Sequence, residues 1–287
     1  MLNLIAAGNI ADYPIGPETE MDEDADVYKN LRLSICSEHR RALLFSLNEG
    51  KKPLAALQKE LNVPSPAIIH ALRELEGNHL VRQDRVRQYG LTTIGRSAVR
   101  KVIDFRRVME VLTKHEAFWS EHDLSGIPDH IFDQIGSLRD ATLIMGTPPD
   151  IFKAMRRFVE LLQDSTIVRL VSPVYIPDIE AIVLDKFVSA ELRIELLLTD
   201  EVLRHFIGEA ENVSLKEARE IYLKLRVLRE DPKFVLVVTD RFMALALYRT
   251  DGTFDHSSTL TSEDPEAIAW SRQLYDHYVI ESDDITF

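Results

Sequence analysis

The stretch "LQKELNVPSPAIIHALRELEGNHLVRQDRVRQYGLTTIG", Leu57 to Gly95, decides how this chain of 287 residues is read. Its opening residues close a short helix that starts at Pro53 and carries Leu54, Leu57 and Leu61 on one face. A turn, "VPSP", follows. The next helix takes Ser65 as its N-cap and Pro66 at its first position, where a missing N–H leaves no bond unmade. Helical spacing then predicts that Ile69, Leu72 and Leu75 are buried. Two short helices across a tight turn make a helix-turn-helix. After Gly77 the pattern shortens to extended segments, "LVRQDR" and "VRQYGLT", the two arms of a hairpin. Upstream, "LSICSEHRRALLFSLNEG" is an amphipathic helix with Ile35, Leu43, Leu44 and Leu47 on its apolar face and a stop at Gly50. Downstream, "TIGRSAVRKVIDFRRVMEVL" resumes helical spacing through Ile94, Ala98, Val102, Phe105 and Met109. The whole predicts a winged helix: a helix-turn-helix followed by a hairpin wing.

Charge singles out the same region. The chain carries a net charge of -13, yet residues 29–114 hold 17 basic and 8 acidic side chains. Residues 1–28 hold 7 acidic and no basic ones, and residues 115–287 hold 17 basic against 32 acidic. A basic module in an acidic chain is an electrostatic footprint for a polyanion, because Lys and Arg that neutralise phosphates supply most non-specific nucleic-acid affinity. Arg82, Arg85 and Arg87 fall on the wing, where they meet the DNA backbone or minor groove. For Arg82 the alternative is a local pair with Asp84 or Glu76.

From Ala141 the chain changes rhythm. "ATLIMG", "TIVRLVS" and "LRIELLLT" read as strands, separated by helical "PDIFKAMRRFVELLQD" and "IPDIEAIVLDKFVSA" and followed by "DEVLRHFIG". That βαβ alternation predicts a mainly parallel sheet covered by helices. "LRVLRE", "KFVLVVTD" and "FMALALYRT" lie too close together for crossovers and predict an antiparallel extension, and a helix from Pro265 to Tyr278 ends the pattern. Open α/β sheets bind ligands beyond the carboxyl ends of their strands. Those ends here offer Thr147, Ser172, Tyr175, Thr199 and Asp200, a set suited to a small polar effector, although the same residues also serve as ordinary helix-entry chemistry.

Other chemistry is absent from the sequence or fails on spacing. No GxxxxGK[ST], GxGxxG or GxSxG is present, and none of the nine histidines is followed by Lys one residue on, the pair that phospholipase-D-like chemistry requires. In "HEAFWSEHDLSGIP", His115, Glu116, His122 and Asp123 suggest a metal site, and His122, Asp123 and Ser125 a triad, but adjacency in sequence supplies the geometry of neither. Phe118 and Trp119 read instead as a hydrophobic anchor between domains. No catalytic residue, metal or cofactor is expected. The single Cys36 has no partner for a disulfide and reads as a small buried apolar side chain. Apolar runs stop short of the ~18 residues needed to cross a bilayer, and no signal segment opens the chain, so no membrane association and a cytoplasmic location are expected. The first 27 residues form an acidic lead without sustained periodicity, and Met21 offers a second possible start.

The pattern of helix, turn, "S-P-x-I-I-H-A-L-x-E-L", wing and "Y-x-L-T-x-x-G" resembles the winged helix of archaeal and bacterial repressors. "FWSEHDLSGIPDHIFDQIGSL" and "DPKFVLVVTDRFMALALYRTDGTFDHSSTLTSEDPEAIAWSRQLYDHY" are similar to archaeal winged-helix regulators bearing a FilR-type methanogenesis-regulator domain. The resemblance implies a transcription regulator whose recognition helix turns Ser65, Ala67, Ile68, His70 and Arg73, with Glu74 at the margin, toward the major groove. For Ile68 the competing role is a core residue, and for His70 a solvent-facing one.

The expected fold is therefore an α+β winged helix-turn-helix followed by an α/β domain with a mainly parallel sheet plus antiparallel extension. Residues 28–93 form the DNA-binding domain, 94–140 a helical connector and dimerisation segment, and 141–287 the effector-sensing domain. The expected function is a homodimeric regulator that binds operator double-stranded DNA and senses a small molecule. A winged helix that docks protein instead of DNA, or an enzyme acting at the strand ends, are the competing readings.

Overall fold

The computed structural model describes residues 32, 36–147, 149–150, 153–162, 164–175, 193–210 and 223–285. The acidic lead, Ile35 and the helix expected over "IPDIEAIVLDKFVSA" lie outside the described residues. The chain divides into two compact units, up to Asp104 and from Phe105 onward.

In the first unit, α1 (Glu38–Asn48) is capped by Ser37, whose side chain accepts from the Arg40 amide. Cys36 lies just outside that cap and is exposed, which corrects the expectation of burial: the helix begins after it and turns nothing over it. A two-residue strand β1 (Lys52–Pro53) leads into α2 (Leu54–Leu61), which Asn62 ends in the left-handed conformation at φ 51°. Helix α3 spans Ser65–Gly77, so Ser65 is its first residue and Pro64 precedes it, one position off the expected cap. The wing consists of β2 (Val81–Gln83) and β3 (Gln88–Leu91), paired antiparallel, and β1 adds to the far side of β3 to give the order β1-β3-β2.

Leu43, Leu44 and Leu47 of α1, Leu57 of α2, and Ile68, Ala71, Leu72 and Leu75 of α3 fill one core with Leu80, Val81 and Leu91 of the wing. The buried row on α3 runs i, i+3, i+4, i+7 from Ile68, so Ile69 is only partly buried. Helix α4 (Thr93–Lys114) starts hard against the wing's base. A Cβ on Gly95 would lie 1.9 Å from the Leu80 carbonyl oxygen, so that approach admits only glycine.

In the second unit, α5 (Glu116–Glu121), α6 (Asp129–Phe132) and a 3-10 turn (Ile135–Leu138) precede β4 (Thr142–Met145) and α7 (Lys153–Leu162). Then come β5 (Ile167–Ser172), β6 (Arg193–Leu198), α8 (Asp200–Ala210), β7 (Leu223–Leu228), β8 (Phe234–Thr239), β9 (Met243–Leu247), β10 (Ser258–Ser262), α9 (Pro265–Ile280) and β11 (Ser282–Asp284). The strands form one sheet in the order β11-β7-β6-β5-β8-β9-β10-β4.

That order corrects the mainly parallel expectation. Only β5/β6 and β6/β7 run parallel, while the other five pairings among the described strands are antiparallel. Strand β4 does not neighbour β5; it closes the opposite edge against β10. The reason lies in the connections. Parallel neighbours need a crossover, whereas the short link from Thr239 to Met243 folds β8 back on β9, with the Thr239 hydroxyl accepting from the amides of Arg241 and Phe242.

Both faces of the central strands are covered, so β8 and β9 are buried at every position, as fits a sheet with helices on each side. Alternation divides them: Leu236, Val238, Met243 and Leu245 join Phe118, Trp119, Ile131 and Trp270, while Val237 and Ala244 join Phe158, Val202, Leu203 and Phe206. Phe118 and Trp119 lie in the core of the second unit itself, where they were expected as an anchor between domains.

A buried polar knot ties α5 to the segment before β10. The His122 Nδ1 faces the Phe118 carbonyl at 2.7 Å and its Nε2 faces Asp255 Oδ2 at 3.1 Å. Asp255 also accepts from the hydroxyls of Ser257 and Ser258, each at 2.6 Å, and pairs with Arg249 at 3.2 Å. Burial alone would raise the Asp255 pKa, but these hydrogen bonds outweigh it and hold the carboxyl far below the usual carboxylate range.

Candidate nucleic-acid interface

Helix α3 presents a face opposite its core row. Ser65, His70 and Arg73 are exposed, and Ala67 is partly so. Ile68 is not part of that face: it is 0% exposed and belongs to the core, which corrects its assignment as a DNA contact. The sequence "AIIHAL" offers two adjacent isoleucines, and the helical phase set by Leu72 and Leu75 draws Ile68 inward. Gln58 of α2 donates to the Ser65 hydroxyl and so joins the two helices at the turn. Glu74 is engaged by Arg40 at 2.8 Å and lies 3.3 Å from His70 Nδ1. Arg73, one turn beyond His70 on the exposed side, forms no ion pair among the described residues.

The wing tip is built around one carboxylate. Asp84 Oδ1 accepts from the amides of Val86 and Gln88 at 3.1 and 3.0 Å, and the Asp84 carbonyl accepts from Arg87 at 3.0 Å. Its Oδ2 takes Lys51 Nζ at 3.0 Å. The Gln88 amide first, then the Lys51 ammonium, hold the Asp84 pKa below its usual value. Arg87 adopts the left-handed conformation at φ 60°, which the three bonds to Asp84 around it sustain. Glu76 is likewise occupied, by the Gln83 amide at 2.9 Å. Both carboxylates that could have taken Arg82 are therefore used elsewhere. Arg82, Arg85 and Arg87 are exposed and form no ion pair among the described residues.

Two residues in this unit escaped sequence reasoning. Val86 at the wing tip is 73% exposed between the two arginines. Arg96, beside the close contact of Gly95 with the wing's base, is exposed and without an ion pair among the described residues. The "T-x-x-G" after the wing was the available signal for Arg96; for Val86 there was none, because a valine in a strand-like run reads as core.

In the second unit, the register of β5 on β6 sets Ser172 beside Leu198, so Ser172, Tyr175, Thr199 and Asp200 gather at neighbouring strand ends. The Tyr175 ring lies 5.3 Å from that of His205, and Asp200 pairs with Arg204. The Ser172 hydroxyl is buried and spent within its own turn, on the carbonyl and amide of Val174. Thr147 is not with them, a correction: it follows β4, which β8, β9 and β10 separate from β5, and it bonds Asp150 in a tight turn. A cleft of about 980 Å³ between β4, α7 and the start of α9 is lined by Arg157, Lys153, Thr142 and Asp264.

The side chains of His115, His122 and Asp123, which suggested a metal or a triad, are engaged in local hydrogen bonds. The His115 ring meets the Ala141 carbonyl at 3.2 Å, with burial first and Lys114 after it lowering its pKa. Asp123 caps the Ser125 amide, and the serine hydroxyls near His122 donate to Asp255. Among the described residues no three His, Cys, Asp or Glu side chains converge on a metal position. No described helix is long and apolar enough to cross a membrane.

Residues 28–112 match the family model for the N-terminal domain of the methanogenesis regulatory protein FilR1, and residues 151–281 match that for its middle domain. The methanogenesis regulatory protein FilR1 of Methanothrix harundinacea (strain 6Ac) is 26% identical over 262 residues, which span 90% of this chain and 58% of that protein. The chain thus corresponds to somewhat over half the length of this curated relative. Among solved structures, TrmBL2, an archaeal chromatin protein, aligns over 91% of this chain and 99% of its own at 16% identity and a TM-score of 0.40. A phospholipase D family member, Nuc from Salmonella typhimurium, aligns over 51% of this chain and 99% of its own at 10% identity and a TM-score of 0.39.

Proposed function

We propose that this chain, which matches the N-terminal and middle domains of the methanogenesis regulatory protein FilR1 over residues 28–112 and 151–281, regulates transcription by binding operator DNA through its winged helix. The observation that carries the reading is a cluster of exposed arginines on one module, Arg73 on α3 and Arg82, Arg85 and Arg87 on the wing, without ion pairs among the described residues, in a chain of net charge -13. Clustered on one small module, such guanidinium groups form an electrostatic footprint for a polyanion. Ser65, Ala67, His70 and Arg73 face the major groove, with Arg73 long enough for a guanine edge or a phosphate. Arg82, Arg85 and Arg87 take backbone phosphates or the minor groove.

Two further parts complete the proposal. Phe105 and Met109 lie one turn apart on α4 and are 56% and 43% exposed, which supports pairing of two copies along that helix. The strand ends that gather Tyr175, Thr199 and Asp200 support a small effector, which can change operator affinity only by its preference between two arrangements, typically about 1–3 kcal/mol.

Affinity selection from a genomic fragment pool, with Arg73, Arg85 and Arg87 reversed in charge as the control, tests this. Enrichment of a two-fold site, lost in the variant, is expected. Against salt, Arg85→Ala and Arg87→Ala should each flatten the log–log slope by about 0.9. No enrichment over random DNA by a folded chain would move the winged helix to a protein-docking role.

A further inference from the structure

A single exposed valine needs no account by itself. Val86 differs because of what holds it and what stands beside it. The amides of Val86, Arg87 and Gln88 all donate to Asp84, whose other carboxylate oxygen is tied to Lys51, so the tip is held in one shape from both strands and from the chain before α2. The apex of this locked turn is an apolar side chain, 73% exposed, flanked by Arg85 and Arg87, neither in an ion pair among the described residues. A solvated loop tip would favour a polar residue there. A locked tip also loses little conformational freedom on binding, so contact made through it is not offset by ordering.

We propose that Val86 is an apolar wedge that enters the minor groove between two base pairs, with Arg85 and Arg87 lying along the groove on either side of it. The inference rests on the DNA-binding reading and deepens it: the wing reads groove shape and the ease of unstacking one step, where α3 reads base edges. A narrow A·T-rich minor groove concentrates negative potential on which arginines settle, and pyrimidine–purine steps part most readily for an apolar side chain. The preferred sites therefore carry a flexible step within A·T pairs under each wing. Asp84 acts as a positioning residue, since it holds the tip and stays out of the groove.

The test uses the full-length chain and duplexes it enriches from a random-sequence pool, with 2-aminopurine placed at successive steps across the site to report unstacking. Wild type should raise the fluorescence at one step beneath each wing. Val86→Ser should abolish that rise and weaken binding about tenfold, the order expected for withdrawing a valine from apolar contact, with the salt slope unchanged. Val86→Leu should restore both. Asp84→Ala should lower the affinity and the rise together while circular dichroism stays native. Replacing A·T pairs under the wing by I·C, which keeps the minor-groove face, should be tolerated where G·C is not. If wild type binds with no rise at any step, or Val86→Ser keeps affinity and rise, the wedge is refuted while DNA binding stands. If wild type enriches no duplex at all, the DNA-binding reading fails and this inference with it.

Discussion

Replacing Ile68 by Ala separates the two faces of α3. The Ile68 side chain is fully buried in the core of the first unit with Leu57, Leu72 and Leu75. Truncation removes three carbons, so at about 0.8 kcal/mol per methylene the lost transfer free energy is about 2.4 kcal/mol. The cavity left behind adds to that, giving a total of about 3–5 kcal/mol. For a small domain with a urea dependence of about 2 kcal/mol per molar, the midpoint should fall by about 1.5–2.5 M. Both tryptophans of the chain, Trp119 and Trp270, lie in the core of the second unit. Their fluorescence is therefore silent to the winged helix, while far-ultraviolet circular dichroism reports both units. In Ile68→Ala an early circular-dichroism transition should separate from an unmoved tryptophan transition, and DNA affinity below that transition should stay near wild type. An unshifted unfolding curve combined with weakened DNA binding would place Ile68 on the groove-facing side and refute the reasoning.

The second unit should show an acid dependence that runs through Asp255. Its folded pKa is depressed below the ordinary 3.8, so its contribution to stability is complete above that value and is lost as pH falls through and beyond it. Asp255→Asn should flatten the dependence of the tryptophan transition on pH below about 4 and cost about 3–5 kcal/mol at neutral pH, because His122 and Arg249 lose their partner. Equal acid sensitivity in wild type and variant would show that the knot does not carry the effect. Phe105→Glu combined with Met109→Glu should convert a dimer to a monomer in analytical ultracentrifugation, and an unchanged mass would remove α4 as the pairing surface.

The legible parts of this protein were those that a local period or a local rule encodes. The helix-turn-helix followed from leucines at helical spacing and from prolines that can stand only at helix starts. The wing followed from the switch of period after Gly77, and the arginines Arg82, Arg85 and Arg87 from a charge imbalance visible by counting. "KFVLVVTD" and "FMALALYRT" were legible as strands lying too close together for a crossover.

What the tertiary structure decided was every choice between equivalents. Ile68 and Ile69 have the same side chain, and only the packing of α3 on α1 and α2 selects Ile68 for the core. Asp84 and Glu76 could each have neutralised Arg82, and the wing's backbone amides took both instead, which leaves the arginine for another anion. Period alone cannot place β4, because a strand records which of its faces is buried but not which neighbour it pairs with. Its place beside β10 comes from the edge the folded sheet leaves open. Val86 is the sharpest instance: in sequence it is one more valine in an extended run, and its exposure at a locked apex exists only once Asp84 has closed the turn.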